Sequence, residues 1–204
     1  TILASGVVFL DGTVVNLALP AMDRQFDAGL SGLQWIVNGY LVTLSALLIL
    51  GGSLGDRHGR RRVMLAGLAG FGLASLACGL APSLSWLVAA RLLQGVAGAL
   101  MVPGSLAILR ATFPEGEARG KAIGLWSGWA GITTILGPMF GGWLVDTLSW
   151  RTVFLINLPI IAVAAYLLAR YVGESREATG AAPAFGLRFP LPANGDLVTT
   201  LHPQ

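Results

Sequence analysis

Six apolar stretches divide most of the sequence into segments that are each long enough to cross a lipid bilayer. About 20 apolar residues span the roughly 30 Å of hydrocarbon in a membrane. The stretches lie at about 2–20, 35–55, 63–82, 86–110, 121–144 and 152–172. Apolar residues run continuously through each stretch instead of alternating, which excludes a β-barrel. The sequence therefore predicts an all-α membrane protein with six transmembrane helices.

The composition supports a membrane protein and argues against other classes. Of the 204 residues, 54% are hydrophobic and 11% are charged, whereas about 25% are charged in soluble domains. The net charge of +3 comes from arginines between apolar stretches, so no nucleic-acid partner is predicted. The single cysteine, Cys78, excludes an internal disulfide, and the histidines, His58 and His202, are far apart. No phosphate-binding loop occurs, so we predict no enzyme, no cofactor and no metal site.

Basic residues gather on alternate connections between the stretches. The second connection, the fourth connection and the segment after the sixth stretch carry Arg57, Arg60, Arg61, Arg62, Arg110, Arg119, Lys121, Arg170 and Arg176. The first and fifth connections carry only Arg24 and Arg151, and the third carries no basic residue. Because cytoplasmic loops retain positive charge, we expect a multi-pass protein of the cell (inner or plasma) membrane with both ends in the cytoplasm.

The two ends of the chain differ from the six stretches. The sequence does not begin with Met, and its first apolar stretch starts at once, so we expect the natural N-terminus to lie upstream. Residues 173–204 are polar and rich in proline and glycine. This composition predicts a mobile cytoplasmic tail, and a truncation product is the alternative interpretation.

A short polar segment occurs twice. The chain reads GGSLGDRHGRRRVML at 51–65 and GGWLVDTLSWRTVFL at 141–155. The coinciding pairs are Gly51/Gly141, Gly52/Gly142, Leu54/Leu144, Asp56/Asp146, Arg61/Arg151, Val63/Val153 and Leu65/Leu155. Three predicted crossings separate the copies, which places them on opposite sides of the membrane. The pattern favours a 3+3 inverted repeat, a common construction in transporters; chance similarity of two helix junctions is the alternative.

Two charged residues lie inside predicted spans. Asp11 is in the first, where an acid near mid-membrane costs about 2.5–3.5 kcal/mol and therefore usually faces a cavity or a partner. Asn16 points well away from Asp11 at 100° per residue. Arg91 shares one face of the fourth span with Gln94 and two glycines. This arginine needs a carboxylate, carbonyls or water, or else it snorkels to the interface.

The fifth span carries a stripe of small residues. Gly124, Gly128, Gly131, Pro138 and Gly142 fall on one face, with Gly137 and Gly141 beside them. Small residues allow helices to approach closely, and a proline removes one helical hydrogen bond. The stripe indicates either a plain packing surface or a bend that seals one side of a pathway.

Several motifs resemble a known transporter family. LDGTVVNLALP at 10–20 resembles the helix 1 signature of drug/proton antiporters of the fourteen-helix (EmrB/QacA) type, and GSLGDRHGRRRVML at 52–65 resembles the loop motif of the major facilitator superfamily. RLLQG from Arg91 resembles that superfamily's helix 4 motif, and GPMFGG from Gly137 resembles the antiporter motif of helix 5. The segment from Trp150 to Pro159 is also similar to the fourteen-helix branch. The resemblance covers residues 1–172 and implies the N-terminal six-helix half of such a protein.

The resemblance also implies roles for particular residues. It assigns proton or substrate coupling to Asp11 and Arg91, and we include Asn16 and Gln94 in the same candidate site. It assigns a conformational latch, in which the acid contacts neighbouring arginines, to Gly52, Asp56, Arg57, Gly59, Arg60 and Arg61. It assigns the antiporter motif to Gly137, Pro138, Gly141 and Gly142. One departure is Thr133, where the family usually has glycine.

The function expected from this resemblance is proton-coupled efflux of drug-like, cationic or amphipathic small molecules. A proton, Arg91 or a cationic drug can each neutralise Asp11, and a low dielectric makes these alternatives exclusive. The expected partners are a small-molecule substrate, protons, the lipid bilayer, and a missing C-terminal half or a second copy. The alternatives are an importer or facilitator of another solute and a truncated, non-transporting membrane protein.

Overall fold

The chain is helical throughout the part that the structure describes. The structure, a computed structural model, describes residues 1–113 and 115–174, except for the side chain of Leu136. Nearly all of the predicted tail, 173–204, therefore lies outside the described residues. The helices are α1 (Ile2–Phe26), α2 (Gly29–His58), α3 (Arg60–Gly79), α4 (Leu84–Thr112), α5 (Glu117–Thr147), α6 (Thr152–Leu155) and α7 (Asn157–Tyr171). The predicted all-α class is confirmed.

Five helical segments of the described chain are long and apolar enough to cross a membrane. They are Ile2–Phe26, Gly29–His58, Arg60–Gly79, Leu84–Thr112 and Thr152–Tyr171, the last of which joins α6 and α7. The segment α5 is not among them, although its 31 residues would extend about 46 Å at 1.5 Å per residue. Its sequence contains glycines, threonines and tryptophans, which contribute less hydropathy to a span than leucine, isoleucine or valine.

Local sequence explains where the helices begin and end. α1 ends at Phe26, and the next residue, Asp27, adopts a left-handed conformation with φ 48°. The Asp23 carboxylate accepts a hydrogen bond from the Gly29 N–H at 3.0 Å. A single residue, Gly59, separates α2 from α3 at φ 103°, which glycine adopts without a steric penalty. α4 begins after Ser83, whose side chain accepts from the Trp86 N–H as an N-cap.

The helix α4 packs closely against α2 because glycines remove side chains from the crossing. A Cβ on Gly51 would lie 2.0 Å from the carbonyl oxygen of Ala99, and a Cβ on Gly95 would lie 2.4 Å from that of Tyr40. Both neighbours are backbone atoms, so neither can move aside cheaply. The helices therefore require glycine at these two positions.

The helices α5 and α1 make an equivalent contact. A Cβ on Gly141 would lie 2.4 Å from Val14 Cγ1, and a Cβ on Gly137 would lie 2.6 Å from Thr13 Oγ1. Gly141 is the residue that aligns with Gly51 in the internal repeat. The second helix of one repeat thus packs on the first helix of the other repeat in both cases, as an inverted repeat requires.

The aligned arginines show the same symmetry. Arg61, at the start of α3, donates to the carbonyl of Ala169 near the end of α7. Arg151, immediately before α6, donates to the carbonyl of Ala81 just after α3, at 3.1 Å. Each third helix therefore begins where the other one ends. Together with the glycine pair, this arrangement confirms the 3+3 inverted repeat predicted from the sequence.

Candidate functional site

The centre of the bundle holds a fully buried ion pair between α1 and α4. Arg91 Nη1 lies 2.5 Å from Asp11 Oδ2, and the two side chains are 1% and 0% exposed. Asp11 lies midway along α1 and Arg91 two turns into α4, so both charges are remote from the helix ends. A buried charge is tolerated only when it is paired and hydrogen-bonded.

Two amide side chains complete the environment of the carboxylate. Asp11 Oδ1 accepts hydrogen bonds from Gln94 Nε2 at 3.0 Å and from Asn157 Nδ2 at 2.9 Å. Gln94 comes from α4 and Asn157 is the first residue of α7. Three donors therefore converge on one carboxylate, and hydrogen bonds to a charged acceptor are the stronger kind.

Arg91 has further contacts that do not depend on Asp11. Its Nε donates to the carbonyl of Ile36 at 3.0 Å, and its Nη1 also donates to Gln94 Oε1 at 2.8 Å. The guanidinium carbon lies 4.2 Å from the centre of the Tyr40 ring, a cation–π contact. Both Ile36 and Tyr40 belong to α2, so this helix also holds the ion pair.

Ser75 of α3 connects the amides to the sixth span. Its Oγ accepts from Asn157 Nδ2 at 3.0 Å and from Gln94 Nε2 at 3.2 Å, and it donates to the Phe154 carbonyl at 3.0 Å. We call Asp11, Ser75, Arg91, Gln94 and Asn157 the Asp11 cluster. All five residues are at most 2% exposed. One buried acceptor of this cluster, Asn157 Oδ1, has no hydrogen-bond partner among the described residues.

The sequence pattern identified only part of this cluster. Asp11, Arg91 and Gln94 were predicted together, and the structure brings them together. Ser75 and Asn157 were not predicted, although a polar residue in mid-span is itself a signal of a buried partner. Asn16 is not brought to the cluster: it is exposed, and its side chain donates to the Gly12 carbonyl of its own helix at 3.0 Å.

The predicted latch residues lie where α2, α3 and α4 meet, which we call the arginine-rich end of the bundle. Asp56, near the end of α2, pairs at 2.9 Å with Arg60, the first residue of α3, rather than with Arg57 or Arg61. Arg57 is exposed, and Arg61 is directed to Ala169. A cleft of about 390 Å³ opens beside this pair and is lined by Gly52, Gly55, Asp56, Arg60, Pro103, Gly104, Ala107 and Arg110.

A carboxylate from the end of the sixth span also reaches this region. Glu174 Oε1 accepts from the Arg61 backbone N–H at 3.1 Å, and Glu174 Oε2 lies 3.6 Å from Arg62 Nε. A Cβ on Gly59 would lie 2.5 Å from this carboxylate. The first N–H groups of a helix favour a negative partner, so Glu174 caps the start of α3.

The predicted stripe on α5 divides into two parts. Gly137 and Gly141 contact α1, as described above. Pro138 is exposed, and a Cβ on Gly142 would meet no described atom within 4 Å, as is also true of Gly124, Gly128 and Gly131. Of the glycines in this stripe, only Gly137 and Gly141 therefore pack closely against a described neighbour. Between residues 1–113 and 115–174, no group of three or more His, Cys, Asp or Glu side chains could hold a metal ion.

Comparison with known proteins identifies similar chains. The family model described as Major Facilitator Superfamily matches residues 1–199. The multidrug resistance protein Stp of Mycobacterium tuberculosis (strain CDC 1551 / Oshkosh) is 43% identical over 179 residues, which cover 86% of this chain and 33% of that protein. The tetracenomycin C resistance and export protein of Streptomyces glaucescens is 48% identical over 154 residues, covering 76% of this chain and 28% of that protein. The chain thus spans about a third of the length of these curated relatives.

Solved structures share the fold. A bacterial homologue of the human lysosomal transporter Spinster, in an inward-facing and unoccupied conformation, superposes with a TM-score of 0.65 at 21% identity, covering 89% of this chain and 44% of that chain. A POT family transporter in complex with 5-aminolevulinic acid superposes with a TM-score of 0.66 at 17% identity, covering 86% of this chain and 40% of that chain. At these identities the likeness concerns the fold alone.

Proposed function

Because the chain belongs to the major facilitator superfamily, we propose that it forms the N-terminal six-helix half of a drug exporter. The substrates are drug-like, cationic or amphipathic small molecules, and export is driven by protons moving inward. Relatives named for multidrug resistance and for tetracenomycin C resistance and export support efflux as the activity. The helix 1 and helix 5 motifs favour the fourteen-helix antiporter branch within this superfamily.

The observation that carries the proposal is the buried ion pair between Asp11 and Arg91. Removing one partner of such a pair leaves an uncompensated charge and costs about 3–5 kcal/mol. Arg91 can therefore leave the carboxylate only if another positive charge takes its place. A proton or a cationic drug arriving at Asp11 supplies that charge, and the two compete for the same site.

Arg91 is suited to this exchange because it keeps other partners when Asp11 becomes neutral. The Ile36 carbonyl at 3.0 Å, Gln94 Oε1 at 2.8 Å and the Tyr40 ring at 4.2 Å remain in place. The Arg91 guanidinium therefore keeps polar contacts in the interior even when Asp11 is neutral. We propose that Asp11 carries the exchangeable charge and that Arg91 is the resident counter-ion, with Gln94 orienting both.

The remaining sequence-derived roles belong to the same proposal. We propose that Asn16, which is exposed on α1, contacts the substrate. The Asp56–Arg60 pair and its cleft form the latch region that would engage another helix bundle. Gly137, Pro138, Gly141 and Gly142 form the antiporter motif. The arginine-rich end faces the cytoplasm of a cell membrane, in agreement with the retention of basic loops on that side.

A second helical bundle is needed to complete the pathway. Large apolar side chains are exposed on α2 and α5, with Ile49 at 85%, Leu125 at 69% and Ile135 at 70%. We propose that a C-terminal half, or a second copy of this chain, covers part of this surface and that the lipid bilayer covers the rest. The 204 residues alone would then be membrane-inserted but would not transport.

The test measures drug uptake into inverted vesicles that contain the full-length protein under an imposed pH gradient. Asp11→Asn should abolish gradient-driven uptake, while Ser53→Ala, at an exposed hydroxyl that bonds only to its own helix at Leu50, should not. Persistence of full gradient-driven uptake in Asp11→Asn would refute the proposal. Drug movement in the same direction as the protons, instead of against them, would favour an importer.

A further inference from the structure

The hydrogen bonds around Asp11 leave one residue that can respond when its charge changes. Every described side chain that forms a hydrogen bond with the carboxylate donates to it: Arg91 to Oδ2, and Gln94 and Asn157 to Oδ1. A neutral Asp11 carries a proton, which is itself a donor. If that proton binds Oδ1, to which Gln94 and Asn157 both donate, at least one of these two amides must turn from donor to acceptor or move away.

The three neighbours differ in their ability to accept a hydrogen bond. Arg91 has no acceptor atom. Gln94 Oε1 already accepts from Arg91 Nη1 at 2.8 Å and from Cys78 Sγ at 3.6 Å. Asn157 Oδ1 is buried and has no hydrogen-bond partner in the described part of the chain. Turning Asn157 therefore gives up fewer acceptor bonds than turning Gln94.

The present orientation of Asn157 depends on a negative charge at Asp11. Its two N–H groups are directed to Asp11 Oδ1 and to Ser75 Oγ. The single Ser75 proton is directed to the Phe154 carbonyl, so Ser75 offers Asn157 only an acceptor. While Asp11 is a carboxylate, Asp11 Oδ1 and Ser75 Oγ both act as acceptors, so Asn157 directs its N–H groups to them. The Asn157 oxygen then stays without a donor, which costs the free energy of one unsatisfied buried polar group.

Asn157 also lies where backbone hydrogen bonding within the sixth span is interrupted, although Ile156 before it keeps right-handed helical angles (φ −64°, ψ −22°). α6 ends at Leu155, and α7 begins at Asn157. Pro159 has no N–H, so the Leu155 carbonyl receives no hydrogen bond from the residue four positions later. Ser75 supplies an additional donor to the adjacent Phe154 carbonyl. The cluster thus contributes to holding the ends of the two helices together.

We propose that Asn157 is a positioning residue that reports the charge of Asp11 to the interruption between α6 and α7. When a proton from the open side of the pathway binds Asp11 Oδ1, the charge of Asp11 changes from −1 to 0 and Arg91 keeps its other partners. Asn157 turns its oxygen to the new O–H and gives up its bond to Ser75. The Ser75 hydroxyl is then free to leave the Phe154 carbonyl, and the joint between α6 and α7 loosens.

The groups that titrate or carry charge near Asp11 belong to three helices. Arg91 comes from α4, Tyr40 from α2 and Cys78 from α3; the last two interact electrostatically with both Asp11 and Arg91. Among the described residues, neither Tyr40 nor Cys78 forms a hydrogen bond with Asn157. The proposed response therefore concerns the charge of Asp11 and not that of its neighbours.

The inference rests on the proposed role of Asp11, but it is tested by a measurement that does not require transport. Hydrogen exchange of the backbone amides of 152–158 is followed in the full-length protein in lipid discs. Asp11→Asn places a neutral side chain with two donors in the cluster and should raise exchange about five- to tenfold, because a hydrogen bond to a charged group is stronger than a neutral one. Asn157→Leu, which has no polar atoms, should raise it to a similar extent.

The double variant shows whether Asp11 and Asn157 affect hydrogen exchange through one shared interaction or independently. If Asn157 transmits the charge of Asp11, Asp11→Asn combined with Asn157→Leu raises exchange no further than either change alone; independent effects would multiply. Asn157→Gln retains a donor and an acceptor and should restore part of the protection. Asn38→Leu removes an exposed asparagine from α2 and should leave exchange of 152–158 unchanged.

Clear outcomes overturn the inference. Unchanged exchange in Asp11→Asn, or multiplied effects in the double variant, would show that Asn157 serves packing only. If Asp11→Asn does not insert into membranes, Ser75→Ala removes the same link while Asp11 stays charged, and unchanged exchange there would also overturn it. Loss of gradient-driven efflux in Asp11→Asn without any change in exchange would uphold the proposed function and reject this inference alone.

Discussion

Arg61 and Arg151 make the same hydrogen bond at opposite ends of the bundle. Each stands at the start of the third span of its repeat and donates to a backbone carbonyl at the end of the other repeat's third span. The last carbonyls of a helix lack partners within the helix and carry partial negative charge. Each arginine therefore supplies a donor to a carbonyl at the end of a helix, and the two arginines join the two repeats at opposite ends of the bundle.

Replacing Arg151 should destabilise the bundle. Arg151→Met keeps most of the apolar stem but removes the bond to Ala81 and the stacking on Trp150, whose ring lies 4.4 Å from the guanidinium carbon. A hydrogen bond from a charged group contributes about 1.5–3 kcal/mol, and we expect a loss of that size in unfolding free energy. Thermal unfolding in detergent measures it. Arg57→Met, at an exposed position, is the control, and equal stability of the two variants would contradict this account.

Adding one methyl group should distinguish the two kinds of glycine. Gly51→Ala places a Cβ against the Ala99 backbone, whereas Gly124→Ala meets nothing within 4 Å. We expect Gly51→Ala to lower unfolding free energy by about 2 kcal/mol or more, as in other overpacked sites. Gly124→Ala should be neutral or stabilising, because alanine favours helices by about 1 kcal/mol over glycine. Similar melting temperatures for both variants would show that α2 and α4 do not pack as described.

The buried ion pair should show strong coupling in a double-variant cycle. Asp11→Asn and Arg91→Gln each leave one charge buried without its partner, with an expected cost of about 3–5 kcal/mol. The double variant removes both charges and should be more stable than the sum of the single losses predicts. Unfolding midpoints of the four proteins measure the coupling. Additive losses would mean that the two side chains do not form the pair in the membrane.

Cys78 should be protected from thiol reagents in the folded bundle. The side chain is buried in α3, and it is the only cysteine in the sequence, so labelling by a maleimide reports on this position alone. We expect labelling to be slow in native membranes and fast after denaturation. Ser53→Cys, which places a thiol at an exposed position on α2, is the matched control for reagent access. Rapid labelling of native Cys78 would contradict the packing of α3.

Asn16 and Asn157 should differ in their effects on stability. Asn16 is exposed and bonds within its own helix, so Asn16→Ala should change unfolding free energy by no more than about 0.5 kcal/mol. Asn157→Leu removes donors to Asp11 and Ser75 and should cost about 2 kcal/mol. If Asn16 contacts substrate as proposed, its replacement alters drug efflux without altering the melting temperature. Equal destabilisation by both changes would argue against the buried position of Asn157.

Periodicity and motif spacing reveal some of this architecture and leave some of it hidden. The aligned pairs Gly51/Gly141 and Arg61/Arg151 were visible in the sequence, and the inverted repeat that they predicted is confirmed. The contact that each member makes was not visible, because it depends on the crossing of helices distant in sequence. The proposed roles of the motif residues stay predictions.

The Asp11 cluster shows the same limit. Arg91 and Gln94 are one turn apart on a single helix, so helical geometry places them on one face. Ser75 and Asn157 join them only because α3 and α7 are rotated about their axes so that these residues face inward. That rotation follows from the packing of whole helices and is not encoded in local periodicity. For the same reason, the pairing of Asp56 with Arg60 instead of its other neighbours required the structure.

The Asp11 cluster draws side chains or carbonyls from α1, α2, α3, α4, α6 and α7, but none of its described partners comes from α5. α5 instead rests on α1 through Gly137 and Gly141 and reaches α4 through the Trp126–Ser105 hydrogen bond. Sliding this helix along its neighbour would leave every buried charge neutralised, since no member of the ion pair would have to move. The helices that contribute to the Asp11 cluster are therefore held in place by buried charges and hydrogen bonds. Movement of α5 along α1 is opposed mainly by short-range dispersion forces.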